Sequence, residues 1–196
     1  MVMMNIDGCS LSGHILTAMP GAGESVFDKT VVFVCRHDKN GAMGFVINQL
    51  LENLELCDIL RQTENFAIDF PSEMKDNPPV HWGGPVEMNR GFVLHSLDYK
   101  NGKNTAIVND DYGVTANVDV LDAIFTGNGP KDYILALGYV GWEEYQLEEE
   151  LASHAWLVTP PDRNLIFYEQ HKNRWKRAIE ILGVRDDCLL LTQGNS

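Results

Sequence analysis

The clearest pattern of apolar and polar positions lies at 30–48, where TVVFVCRH and AMGFVIN flank a DKNG segment. Two β-rich runs joined by a loop that carries the turn dipeptide Asn40-Gly41 predict a β-hairpin. Its first arm is apolar on both faces until its last residues, as expected of a strand in the middle of a sheet. Further strands are predicted at 91–98, 105–108, 112–116, 133–140, 155–159 and 165–168. A short helix is predicted over 53–62 with Asn53 as its cap. Others are predicted at 119–126, ending at Gly127, at 142–153, and at 171–182, where Trp175, Ala178, Ile179 and Leu182 form one stripe before Gly183. The polar run 65–79, with Pro71, Pro78 and Pro79, reads as a surface loop. Many strands at hairpin spacing with few helices between them predict the α+β class. The expected architecture is one compact domain over 1–196, with a mixed, mostly antiparallel sheet or open barrel and about four flanking helices.

Composition narrows the function classes. The chain has 196 residues, 44% of them apolar and 22% charged, which is the profile of a globular protein. Its 15 Lys and Arg against 28 Asp and Glu give a net charge of -13, a field that repels polyphosphate and argues against direct nucleic-acid binding. Cys9, Cys35, Cys57 and Cys188 form no CxxC pair, so neither a zinc ribbon nor a thioredoxin motif is present, and reduced thiols of a cytoplasmic protein are expected. The first residues lack a basic and then sustained apolar region, and no stretch is long enough to span a bilayer.

Three blocks are more specific than composition: GHILTAMPGAGESVFDKTVVFVCRHDKNGAMGFVIN at 13–48, VHWGGPVEMNRGFVLHS at 80–96 and GYVGWEEYQLEEELASHAWL at 138–157. In order and spacing, over nearly the whole chain, these resemble the YqgE/AlgH family. The resemblance implies a compact bacterial cytoplasmic α+β protein from a family often labelled as transcriptional regulators, without an established activity. Three positions depart from the family pattern. Arg36 stands where an acidic residue is usual between Cys and His, Glu24-Ser25 replaces Asp-Pro ahead of Phe27, and His154 replaces an Asn before the Trp.

Several residues are candidates for chemistry, each with a structural reading beside it. Cys35 and His37, two apart on a strand, are expected on one face about 7 Å from each other. They form either a thiol activated by imidazolium or by Arg36, or a core Cys beside a strand-end His; the core reading is favoured. His14, His37, His81 and His95 with Cys35 are potential zinc ligands, but no pair has the spacing of a metal motif, so no metal and no cofactor is expected. Gly83-Gly84-Pro85-Val86 followed by Arg90 is either an anion-presenting loop closed by Arg90 or a tight turn with Arg90 in an ion pair. Neither this loop nor Pro20-Gly21-Ala22-Gly23 has a phosphate-binding fingerprint. Gln146 and Glu150, one helical turn apart near Trp142, would line a pocket or belong to a solvated acidic face. Lys172, Arg174, Lys176 and Arg177 on the Trp175 helix form the one basic cluster and, by charge, more readily serve the helix than DNA.

No GxSxG elbow, HExxH, P-loop or paired-carboxylate motif is present. The expected role is therefore a non-enzymatic regulatory or adaptor protein, monomeric or weakly dimeric, that binds a partner protein or small ligand. Its binding surface would comprise Asn48, Gly83, Gly84, Pro85, Arg90, His95, Trp142, Gln146 and Glu150. The alternative is an enzyme, a hydrolase or thiol-dependent activity, using Cys35 with His37 or His95.

Overall fold

The computed structural model describes residues 10–20, 25–55, 78–99 and 104–183. Cys9, Gly21, Ala22, Gly23, Cys57 and Cys188, and the predicted features at 56–62 and 65–77, lie outside these residues. Among the described residues ten strands form one curled sheet: β1 (Ile15–Ala18), β2 (Val31–Asp38), β3 (Gly41–Val46), β4 (Leu50–Glu55), β5 (Pro79–Trp82), β6 (Val86–Ser96), β7 (Thr105–Ile107), β8 (Tyr112–Thr115), β9 (Tyr133–Trp142) and β10 (Trp156–Thr159). Their order is β10-β1-β2-β3-β9-β6-β8-β7, with β4 and β5 branching from β9. All pairs are antiparallel except β5 with β9. The α-helices among the described residues are α1 (Asp119–Phe125), α2 (Gln146–Ala152) and α3 (His171–Ile181), with a 3-10 turn at Ser25–Phe27 and a π-helical turn at Asn164–Tyr168 before α3.

The predicted hairpin is β2 and β3. Asp38 Oδ1 accepts the Asn40 amide at 2.7 Å in the turn, and Gly41 opens β3 at φ +114. Any side chain at Gly41 would meet the Trp142 carbonyl, 2.2 Å from the position of its Cβ. β2 lies between β1 and β3, and Val31, Val32, Phe33 and Val34 are all buried, as its two-sided apolar pattern requires.

The sheet separates the core into layers. Phe33, Phe45, Phe92, Leu94 and Ile134 fill its concave side, closed by Leu165 and Ile166 of the π-helical turn and by Trp175, Ala178 and Ile179 of α3. Trp175, Ala178 and Ile179 match the predicted stripe, whereas Leu182 is the half-buried residue just past the helix and lies outside this core; Trp175 Nε1 donates to the Ala18 carbonyl at 2.9 Å. On the convex side, α2 packs Leu147 and Leu151 against Val32, Val34 and Trp156, while α1 covers Val93 and Leu135 with Val120. Each buried aliphatic or aromatic side chain contributes about 1.5–3 kcal/mol.

Three expectations need correction. Residues 165–168 are not a strand: Asp162 accepts the Leu165 amide through its side chain at 2.8 Å and the Ile166 amide through its carbonyl at 3.0 Å, which starts a helical turn. A short apolar run cannot be assigned to strand or helix by periodicity alone. Residue Asn53 does not cap a helix, because β4 pairs with β5 through Leu50 and Glu55. Trp142 is the last residue of β9, paired with Ala42, and α2 starts only after Tyr145 has taken φ +65. Strands β1, β4 and β5 carry no alternation strong enough to predict them.

Candidate functional site

Three irregularities of the sheet meet at one end of its concave face. In the β2/β3 ladder Val34 faces Gly44 and Arg36 faces Met43, so Cys35 is the extra residue of a bulge. In β9, Ile134 and Ala136 point into the concave core; Gly138, at φ +71, shifts the phase, and Tyr139 joins them. In β6, Val86 faces Tyr139 and Gly91 faces Leu137, so residues 87–90 leave the ladder altogether. Bulges of this kind re-aim side chains. Here Arg36 turns to the concave side opposite Met43. The Arg90 guanidinium lies 5.1 Å over the Phe92 ring, and Tyr139 meets that ring edge-on at 5.9 Å.

These residues line a cavity of about 750 Å³ together with Cys35, Met43, Val86, Val108, Val114 and Trp142. Its floor is apolar and its rim charged. Arg36 Nε lies 3.6 Å from Asp38, Arg90 donates to Glu87 at 3.0 Å, and all four side chains are well exposed. Such surface pairs contribute about 0–1 kcal/mol and exchange readily. A second cavity of about 590 Å³ opens beneath α1, among Val93, Leu121 and Leu135. Arg90 lines both cavities, and the concave cleft is the one that also holds Cys35 and Arg36, which makes it the candidate site.

Cys35 is half-buried, packs on the concave core and donates weakly to the Phe33 carbonyl at 3.8 Å. Burial pushes its thiol pKa well above the ordinary value, the opposite of what an activated nucleophile needs. The bulge also separates it from His37, which pairs with Ala42 and belongs to the convex side. The predicted shared face is thus corrected. His37 Nδ1 accepts the Leu11 amide at 3.0 Å, so its proton sits on Nε2, which donates to Glu148 Oε1 at 3.0 Å.

The other histidines are occupied elsewhere. His95 is fully buried; Nδ1 donates to the Ser96 carbonyl at 2.9 Å and Nε2 accepts from Thr115, whose oxygen lies 2.8 Å from Thr105 Oγ1. Burial lowers its pKa, and it reaches neither Cys35 nor the cleft as a base. His81 Nδ1 donates to Leu135 O at 3.3 Å and Nε2 accepts from Arg174 at 3.2 Å. Burial, then the adjacent guanidinium, push His81 down to about 3. His14 precedes β1, with Nδ1 buried and unpaired. Among the described residues no three His, Cys, Asp or Glu side chains gather as metal ligands.

The GGPV loop is a close-packed turn. Gly83 donates to Leu137 O at 2.8 Å and accepts the Val46 amide at 2.9 Å, so its N–H is not free for an anion. A Cβ on Gly83 would lie 2.3 Å from the Gly138 carbonyl and one on Gly84 2.2 Å from the Tyr139 backbone. Pro85 leads into Val86, where β6 begins and the loop reaches the cleft. Asn48 ties two segments together, accepting the Val31 amide at 2.8 Å and donating to Lys29 O at 2.9 Å.

Trp142, Gln146 and Glu150 do come together, as a closed network. One Glu150 oxygen accepts both the Trp142 and Trp156 indole N–H groups, at 2.8 and 2.6 Å, while the other accepts the Gln146 amide at 2.9 Å. Gln146 in turn accepts the Glu143 amide at 2.9 Å. In the basic cluster, Arg174 is buried and donates to the carbonyls of Ile47 and Glu169, with burial lowering its pKa to about 10. Lys172, Lys176 and Arg177 remain exposed, Arg177 beside Glu180 at 3.4 Å. The sequence reading missed the cleft residues Met43, Phe92, Val108 and Tyr139. The one signal was Gly138 within a strand pattern, which marks a bulge.

This arrangement defines a class: a curled-sheet α+β protein with a cleft on its concave face and hydrogen-bonded polar networks on its convex one. Residues 15–186 match the model of the AlgH-like family. The chain is 45% identical over 186 residues to a UPF0301 protein of Rhodospirillum rubrum, covering 95% of this chain and 94% of that one. It is 40% identical over 192 residues to a UPF0301 protein of Caulobacter vibrioides, with 97% and 96% covered. The solution structure of the AlgH protein from Pseudomonas aeruginosa superposes with a TM-score of 0.78 at 34% identity, covering 99% of this chain and 98% of that one. The chain belongs to the AlgH-like family. A crystal structure of a Corynebacterium diphtheriae protein shares the fold, with a TM-score of 0.67 at 14% identity over 90% of this chain and 89% of that one. No helix among the described residues is long and apolar enough to cross a membrane.

Proposed function

We propose that the protein is a non-enzymatic binding protein of regulatory or adaptor type, acting in the cytoplasm, with the concave cleft as its ligand site. The observation that carries this reading is the division of labour around Cys35. The cleft is roomy, apolar at its floor and charged at its rim, whereas the groups an enzyme would recruit are committed elsewhere. His37 is held on the opposite face by Leu11 and Glu148, His95 is sealed by Ser96 and Thr115, and burial raises the Cys35 thiol pKa. Binding requires shape and a few polar groups at the rim; nucleophilic catalysis requires a base within about 3 Å of the nucleophile.

Native mass spectrometry of protein purified gently from its own kind of cell tests this, alongside an Ala106→Trp variant. Ala106 is an exposed residue of the cleft wall, so the indole fills the cavity without entering the core. A bound mass present on the parent chain and absent from the variant supports the reading. A clean apo mass on the parent chain, or a bound mass retained by the variant, overturns it.

A further inference from the structure

We infer that the cleft takes a small, singly charged organic anion with an apolar body, its head held by Arg36 and Arg90 and its body lying on Met43, Phe92 and Val108. This rests on the reading of the cleft as a ligand site and adds the chemistry of the ligand. Strand alternation alone would send Arg36 to the convex side with Val32 and Val34; only the Cys35 bulge turns it to face Met43. Arg90 stands in the one stretch of β6 that has left the ladder, with its guanidinium over the Phe92 ring. Two backbone departures, each at the expense of regular pairing, thus deliver two guanidiniums to one apolar cavity, which a purely apolar ligand would not need.

Neither arginine has a buried carboxylate partner. Their partners Asp38 and Glu87 sit on the surface, where water and salt weaken each pair. A carboxylate or sulfonate set against the apolar floor would be less screened than those partners and would accept charge-assisted hydrogen bonds from both guanidiniums. The charge at the rim sets the valence. Glu87 and Glu143 also line the cleft, balancing the two arginines and opposing a second negative group. The net charge of -13 repels polyanions at long range as well.

Two fluorescent probes with the same aromatic body separate head from body: anionic 8-anilinonaphthalene-1-sulfonate and neutral N-phenyl-1-naphthylamine. Each is titrated into the parent chain, an Arg36→Gln/Arg90→Gln double variant and the Ala106→Trp variant, with thermal unfolding to verify that the variants fold. The expected result is that the sulfonate binds about tenfold more tightly than the neutral probe. The double variant loses that advantage while keeping the neutral probe's affinity, and Ala106→Trp loses both probes. Equal affinities, unchanged by the double variant but lost on plugging, overturn the anion assignment and leave the cleft reading standing. Binding of both probes that survives Ala106→Trp overturns both.

Discussion

The convex face under α2 and the concave cleft are both rich in polar and aromatic residues, yet they are built on opposite principles. Under α2 a set of polar groups is tied together by hydrogen bonds. Glu150 takes two indoles and an amide, Glu148 takes His37, and His37 takes the Leu11 amide. In the cleft the charged groups are exposed, loosely paired and set over an apolar floor. Buried polar groups that are satisfied stabilise a unique packing, while exposed and interchangeable pairs add little stability and leave a surface free to bind. A cluster of Trp, Gln and Glu is therefore a poorer sign of a binding site than two arginines with weak partners.

The largest effect is expected at the seam between the faces. Gly138→Ala places a Cβ 2.3 Å from the Gly84 carbonyl at a position with φ +71, and should destabilise the fold by at least about 3 kcal/mol in urea unfolding. A loss under 1 kcal/mol would mean that the bulge reorienting Tyr139 does not depend on glycine. Next, Glu150→Ala strips two buried indoles and Gln146 of their acceptor, with an expected cost of about 2–3 kcal/mol. Glu150→Gln, which keeps an acceptor, should recover part of that; equal losses in the two variants would argue against a hydrogen-bonded network as the source.

The third effect concerns pH. Folded His81 is held near 3, whereas in the unfolded chain it titrates near 6.5, so the unfolded state binds the extra proton and stability is lost as pH falls below about 6.5. Between pH 7 and 5 the loss from this residue should be about 2 kcal/mol. His81→Gln, which can still accept from Arg174 and donate to Leu135, should flatten that part of the profile, and an unchanged profile would exclude His81 as its source. The smallest effect belongs to the cleft: Arg36→Ala and Arg90→Ala should each change stability by less than about 0.5 kcal/mol. A cost above 1 kcal/mol at either site would make that arginine structural and blur the contrast between the faces.

Much of the scaffold could be read along the chain. The β2/β3 hairpin, the second half of β6, strands β7 to β10, helix α1 just before Gly127, and Trp175, Ala178 and Ile179 of the α3 stripe follow from local alternation, turn residues and caps. Where the reading failed, distant partners had overridden local preference. β4 exists because β5 lies beside it, and Trp142 stays in a strand because Ala42 pairs with it. The candidate site was legible only in part. Cys35 and Arg90 do meet at the cleft, which Trp142 borders, while the Trp142 indole, His95, Asn48, Gln146 and Glu150 lie in other networks.

By itself the sequence determined the α+β class, the hairpin at its centre and the family, because periodicity and long ordered motifs are properties of the chain alone. Which face each candidate residue occupies was decided in three dimensions. One extra residue at Cys35 and one left-handed glycine at Gly138 reverse the alternation of everything after them in their strands, and those bulges exist only in the pairing with neighbouring strands.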